Sequence, residues 1–185
     1  DLVVLNQSRS QYSLPRAVLE KLHLKLANRI FAVGKKVHSS LSKNYAKKSI
    51  QLFQTSTSIS DVVHGIKRSR VVKVVYVGQF IKRKRISNIL SIATELDKDN
   101  RIEFHLIGGD SDIPNLPNNV QIHPFEADRL SLLTRMRGYD VLLHIPTHEP
   151  WGLVINEAQA CGLACVVSEN VGASECVVTA GVLLA

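Results

Sequence analysis

From Val71 onward, β-branched runs alternate with segments of helical period, and no other feature constrains the fold as much. Val71-Val72-Lys73-Val74-Val75-Tyr76-Val77 ends at Gly78, the pattern of a strand buried on both faces. Ile86, Ile89, Leu90, Ala93 and Leu96 then recur at helical spacing. Ile102 to Ile107 predicts a second strand stopped by Gly108-Gly109. Asn119 to His123 predicts a short third strand after the turn-rich stretch Pro114 to Asn118. Leu130, Leu132, Leu133 and Met136 suggest a helix ending at Gly138, and Asp140 to Ile145 is apolar again. Pro150 to Ala160 reads as a helix, Cys165-Val166-Val167 as a strand, and Val182-Leu183-Leu184 as the start of a last one. Short alternating units of this kind predict an α/β fold, a Rossmann-like parallel sheet with helices on both faces and right-handed crossovers. Ligands of such sheets bind beyond the carboxyl ends of the strands. The loops after Val77, Ile107, His123, Ile145 and Val167 are therefore where chemistry is expected.

The beginning of the chain reads differently. Leu14 to Arg29 predicts an amphipathic helix with Pro15 near its start. A strand at Ile30-Phe31-Ala32-Val33, a helix from Lys35 to Leu41 and a strand at Ile50-Gln51-Leu52-Phe53 follow. Two αβ units are too little to close a core. Residues 1–55 are accordingly expected to be the remnant of a second, partial α/β domain. The polar Ser/Thr stretch Gln54 to Ser60 opens a linker region, placed at residues 56–70, and residues 71–185 form the main domain, expected to be truncated at its C-terminus. A chain opening on Asp1 rather than Met suggests a fragment or a processed product.

Composition removes several classes. With 45% apolar and 21% charged residues over 185 positions, collagen-like, coiled-coil and disordered readings fit poorly. No run of about 18 apolar residues is present to span a bilayer. Three Cys are too few for a disulfide scaffold and favour a reducing, cytoplasmic compartment. The net charge of +7 is unevenly spread: residues 21–85 carry 16 Lys or Arg against one acid, Asp61. Such a field draws nucleic acid, acidic lipid or phosphorylated small molecules. Only 5% of the chain is aromatic, and no stacking motif interleaves with the basic runs, which argues against nucleic acid. Lys82-Arg83-Lys84-Arg85 follows a strand end, a place suited to phosphate.

The most informative segment is Thr147-His148-Glu149-Pro150-Trp151-Gly152-Leu153-Val154-Ile155-Asn156-Glu157. It follows one predicted strand and opens a predicted helix. Gly152 permits close backbone approach, and free N–H groups of a first helical turn favour an anion. Were the whole stretch helical, Glu149 and Glu157 would lie about 12 Å apart along the axis. That is wide for a paired-carboxylate hydrolase, which wants about 5–10 Å. Two carboxylates gripping separate hydroxyls of one extended ligand fit the spacing. A first-turn Glu complementing the helix dipole, with the second facing solvent, fits it as well. Cys161 and Cys165 have no second Cys/His pair at zinc-like spacing and read as buried packing, with no metal expected. Cys176 is uninformative. His144 and His148 flank the segment in structural roles, although His148 is within reach of a ligand.

Glu149 through Gly162, EPWGLVINEAQACG, resembles the donor-site signature of retaining glycosyltransferases of the GT-B fold, family 4. Val75-Tyr76-Val77-Gly78-Gln79-Phe80, Leu106-Ile107-Gly108-Gly109-Asp110, Asn119-Val120-Gln121-Ile122-His123 and Ser168 to Glu175 are similar to further segments of that family, in the same order. The resemblance covers Lys73 to Ala185 and extends more loosely back to Arg29. It identifies residues 71–185 with the C-terminal, donor-binding half of a GT-B enzyme.

The resemblance implies transfer of a sugar from a nucleotide diphosphate sugar to an acceptor hydroxyl, with retention of configuration and without a metal or other cofactor. Glu157 would hold the ribose hydroxyls. Glu149 would sit by the transferred sugar, with the backbone of Trp151-Gly152-Leu153 facing sugar and phosphates and Pro124 lining the nucleobase. In the loop after Gly78 the family offers an Arg and a Lys to the diphosphate. The Lys matches Lys84, which with Glu149 makes the catalytic pair. Gln79 stands at the Arg position and Arg85 where a Gly usually follows, leaving Arg83 or Arg85 to replace the missing guanidinium. The acceptor would be a glycan or a lipid-linked one, at the cytoplasmic face of a membrane, with an anionic membrane surface as a further partner. Alternative readings are a non-catalytic nucleotide-sugar binding module, motivated by Gln79, and a basic domain for anionic membrane or nucleic acid.

Overall fold

A computed structural model describes residues 2–5, 14–52, 71–99, 101–109, 113–177 and 181–184. The smaller of its two parallel sheets has the order β1 (Leu2–Leu5), β2 (Arg29–Val33), β3 (Ser49–Leu52), with α1 (Leu14–Leu26) and α2 (Lys35–Tyr45) as the connections. This part carries one more strand than the two αβ units expected from the sequence. A third strand, at Leu2–Leu5, extends the sheet, and Leu24, Ala27, Ile30, Ala32, Val37 and Leu41 pack into a small core of their own. Lys48 caps α1 by donating from Nζ to the carbonyls of Lys25 and Ala27, both at 2.9 Å, groups that a helix end otherwise leaves unpaired. Phe53 and the linker region 56–70 lie outside the described residues.

The larger sheet holds β4 (Val72–Val77), β5 (Ile102–Ile107), β6 (Val120–His123), β7 (Val141–His144), β8 (Ala164–Ser168) and β9 (Gly181–Leu184), all parallel. Their spatial order is β6-β5-β4-β7-β8-β9. The helices are α3 (Ile86–Leu96), α4 (Arg129–Met136) and α5 (Leu153–Ala160). Period-two alternation divides each strand between two cores. Val75 and Leu142 pack with Leu133, Met136, Ile155 and Ala158 from α4 and α5. Their neighbours Tyr76 and Leu143 pack on the other face with Ile89 and Ala93 of α3. Both faces being covered, the strands are mostly apolar, with Lys73, Glu103 and Gln121 at less buried positions. At α4, Asp128 accepts a hydrogen bond from the Ser131 amide at 2.7 Å, an N-cap.

One helix start differs from the expectation. Residues 149–152 are not helical: the Glu149 amide donates to the Asn170 carbonyl at 3.1 Å and the Glu149 carbonyl accepts from the Gly172 amide at 3.0 Å. Gly152, with φ 89° and ψ 65°, turns the chain left-handed, and α5 begins at Leu153. Pro150 suits a first helical turn by its own preferences, but the bridge between Glu149 and Val171 has already claimed the local backbone. Glu149 and Glu157 consequently do not share a helix.

Candidate active site

The strand order reverses direction between β4 and β7, creating a topological switch point where parallel sheets open a crevice. The loops leaving those two strands supply the site. After β4, the Gly78 amide donates to the Ile107 carbonyl at 2.9 Å. A Cβ on Gly108 would stand 2.5 Å from the Gly78 carbonyl oxygen, so only glycine lets these two loops meet backbone to backbone. This contact accounts for Gly108-Gly109 as a turn past a strand end. The chain then makes a short 3-10 turn at Lys82–Lys84. Its link to the loop after β7 is direct: the Thr147 amide donates to the Arg83 carbonyl at 2.8 Å, and the Thr147 hydroxyl does so at 3.3 Å.

This stitching delivers two cations to one carboxylate. Lys84 is buried in the turn and donates from Nζ to Glu149 Oε2. Arg83 Nη1 reaches the same oxygen at 2.9 Å and the His148 carbonyl at 3.3 Å. Burial pushes the Glu149 carboxyl up, but Lys84 and Arg83 outweigh it and hold the group below its ordinary value. Below and behind sits His144, the last residue of β7 and fully buried. Its ring stacks on Tyr76 at 6.1 Å between centroids, and its Nε2 lies 4.0 Å from Glu149 Oε2. Neither ring nitrogen has a hydrogen-bond partner. Burial, reinforced by Lys84, pushes the imidazole down to about 4, so it is neutral at pH 7. Arg83, Lys84 and Glu149 therefore leave one positive charge uncompensated. Both cations also retain N–H donors beyond those that Glu149 uses.

Gly152 adjoins this cluster: a Cβ there would lie 3.3 Å from Glu149 Cγ. The start of α5 follows immediately; the Ile155 amide donates to the Gly152 carbonyl at 3.0 Å, and the amides ahead of it belong to the first turn, which i to i−4 bonds do not reach. Lys84, Glu149 and Gly152 thus come together in the loops flanking the switch point, with Leu153 half exposed beside them. The remaining expected residues are placed otherwise. Glu157 lies on α5 and pairs with Arg129 at the start of α4, Nε to Oε1 at 3.4 Å, rather than with the cation cluster. Gln79 is exposed, its carbonyl accepting from the Tyr76 hydroxyl at 3.0 Å. Pro124 is exposed past the end of β6. Trp151 is only 4% exposed and packs in the core with Val33 of the smaller sheet, so its side chain is a packing element. Beside it, both carboxylate oxygens of Glu175 accept from the Lys35 amide, at 2.8 and 3.0 Å, capping α2. Of the two guanidinium groups that might stand in at the Gln79 position, Arg83 meets Glu149, whereas Arg85 is exposed at the entry to α3. The burial of His144 against the carboxylate had no signal in the sequence beyond its place at a strand end.

A doubly wound parallel sheet with a cationic cluster at its switch point is the architecture of a nucleotide-binding unit. Residues 63–183 match the family model described as Glycosyl transferases group 1, and the chain belongs to that family. No curated protein matches it in sequence. Its fold is that of GT-B glycosyltransferases of known structure. WaaG, a glycosyltransferase involved in lipopolysaccharide biosynthesis, is 15% identical with a TM-score of 0.71, covering 100% of this chain and 61% of WaaG. HepE from Anabaena, solved in complex with UDP and glucose, is 22% identical with a TM-score of 0.71, covering 98% and 57%. Sucrose-phosphate synthase from Thermosynechococcus elongatus is 20% identical with a TM-score of 0.73, covering 97% and 51%. The chain thus spans between about half and three-fifths of these proteins.

Proposed function

We propose that this chain is the donor-binding part of a glycosyltransferase that moves a sugar from a nucleotide diphosphate sugar to an acceptor hydroxyl with retention of configuration. The observation that carries the proposal is the convergence of Arg83, Lys84 and the Gly152 turn on Glu149, with a surplus positive charge. In this reading Lys84, Arg83 and the first amides of α5 receive the diphosphate, and no metal or cofactor takes part. Arg83 supplies the planar donor that Gln79 lacks. Glu149 accepts from hydroxyls of the sugar, and Glu157 exchanges Arg129 for the ribose hydroxyls. Gly78, Gln79, Trp151, Gly152 and Leu153 present backbone to the donor, and Pro124 borders the base. As the bond from the anomeric carbon to the phosphate oxygen breaks, the acceptor oxygen bonds to that carbon on the same face. Its proton passes to the departing phosphate. The negative charge that develops there is stabilised by Lys84, Arg83 and the α5 amides.

The reading places the protein in the cytoplasm, consistent with three free cysteines, and places the acceptor, a glycan or a lipid-linked one, outside this chain. The chain alone then binds donor with little or no turnover. Calorimetry with uridine, guanosine and adenosine diphosphates tests this, with one base expected to bind best. Glu157→Ala should weaken that binding by about 1–3 kcal/mol, the range for hydrogen bonds to a charged group. Donor affinity that survives Glu157→Ala unchanged would contradict the assignment. Gln79 favours a second reading, a binding module without turnover. Clear sugar transfer by this chain joined to an acceptor-binding half, undiminished by a chelator, would exclude it.

A further inference from the structure

His144 closes β7 among apolar neighbours, with Leu142 and Leu143 before it and Ile145 after it. Its side chain is fully buried, and among the described residues neither ring nitrogen has a hydrogen-bond partner. The Tyr76 ring on which it stacks offers it no donor or acceptor, because the Tyr76 hydroxyl is committed to the Gln79 carbonyl. A leucine at this position would fill the space without leaving two nitrogens unpaired. A buried polar side chain that the fold does not need, aimed at a candidate site, points to a role in that site. Its Nε2 lies 4.0 Å from Glu149 Oε2, the same oxygen on which Lys84 and Arg83 converge.

A bound donor changes that oxygen's surroundings unequally. On the donor-site reading, the diphosphate draws the N–H groups of Lys84 and Arg83 to its own oxygens. Glu149, its side chain only 13% exposed, then loses both partners where water is scarce. Its backbone is fixed through Asn170 and Gly172, so only the side chain is free to shift. A movement of about 1 Å brings Oε2 within an ordinary N–H···O distance of His144 Nε2. The imidazole is neutral at pH 7 and carries a single N–H, which the carboxylate favours at Nε2. We infer that His144 is a positioning residue for Glu149: its Nε2–H takes Oε2 as the phosphates draw off the two cations, and keeps the carboxylate turned to the sugar hydroxyls. The cations then serve the phosphates, and His144 serves the sugar through Glu149. The inference rests on the donor-site reading and deepens it.

Titration calorimetry on the full chain tests it, with the best-binding nucleoside diphosphate and the glucose and N-acetylglucosamine esters of that diphosphate as ligands. His144→Leu should leave diphosphate affinity within about twofold and weaken the better-binding ester about tenfold, the scale of one hydrogen bond to a charged group. In a Glu149→Ala background the same substitution should change the ratio of the two affinities no further, because it acts through Glu149. Failure of the wild type to bind any nucleoside diphosphate would overturn the donor-site reading and this inference with it. Where the diphosphate binds, four results would overturn the inference alone: neither ester bound, equal losses for diphosphate and ester, ester affinity untouched by His144→Leu, or a further change of the ratio in the Glu149→Ala background.

Discussion

Lowering the pH tests the burial of His144. Its imidazole has no hydrogen-bond partner, is fully buried, and is pushed from 6.5 to about 4 by burial and then by Lys84. Between those two values the unfolded chain binds a proton that the folded protein refuses, so stability is complete above pH 6.5 and drains away as pH falls toward 4. At about 1.4 kcal/mol per unit, the difference amounts to about 3 kcal/mol. His144→Leu keeps an apolar neighbour for Tyr76 and removes the titration. Urea unfolding of both proteins at pH 7 and pH 4.5 should show the variant losing about 2–3 kcal/mol less than the wild type. His105 and His123 are also pushed down by burial, but they are common to both proteins and cancel in the difference. At pH 7 the variant should be no less stable, because it removes ring nitrogens that have no partner. Parallel losses in the two proteins would refute the reasoning.

Two backbone substitutions beside the site should act in opposite directions. Gly152→Ala places a left-handed residue whose Cβ lies 2.9 Å from Val171 Cγ1, and Val171 is fully buried. It should cost about 2–3 kcal/mol in urea unfolding and weaken nucleoside diphosphate binding by displacing Glu149. Arg85 occupies the left-handed region at φ 54° without being glycine. Arg85→Gly should stabilise the protein by about 1 kcal/mol, raising its thermal midpoint by about 2–4 °C, with Arg83 and Lys84 still in place; a lower midpoint would count against strain at this position.

The strands of the large sheet were legible because burial on both faces favours predominantly apolar, β-branched runs, as in Val71 to Val77, where Lys73 is the one charged residue. The loops that carry Lys84 and Glu149 were legible because they follow those runs. What escaped reading depends on contacts distant in sequence. Leu2–Leu5 is a strand because Arg29–Val33 lies beside it, and four apolar residues alone carry no such message. Pro150 looks like a helix start until Val171 and Gly172 claim the backbone of Glu149. Trp151 and Glu175 turn to the smaller sheet through Val33 and Lys35, partners more than 100 residues away. Arg83 and Lys84 are adjacent in sequence, and only the 3-10 turn, stitched to Thr147, brings both onto one carboxylate.

Titration calorimetry with one ligand pair probes the phosphate cradle most directly: the preferred nucleoside diphosphate against its parent nucleoside, on the wild type and on Arg83→Met combined with Lys84→Met. The cradle requires the wild type to favour the diphosphate strongly and the double variant to lose about a hundredfold or more of that preference, the scale of two charge-assisted contacts. Equal affinity for diphosphate and nucleoside, or a preference untouched by loss of both cations, would contradict it.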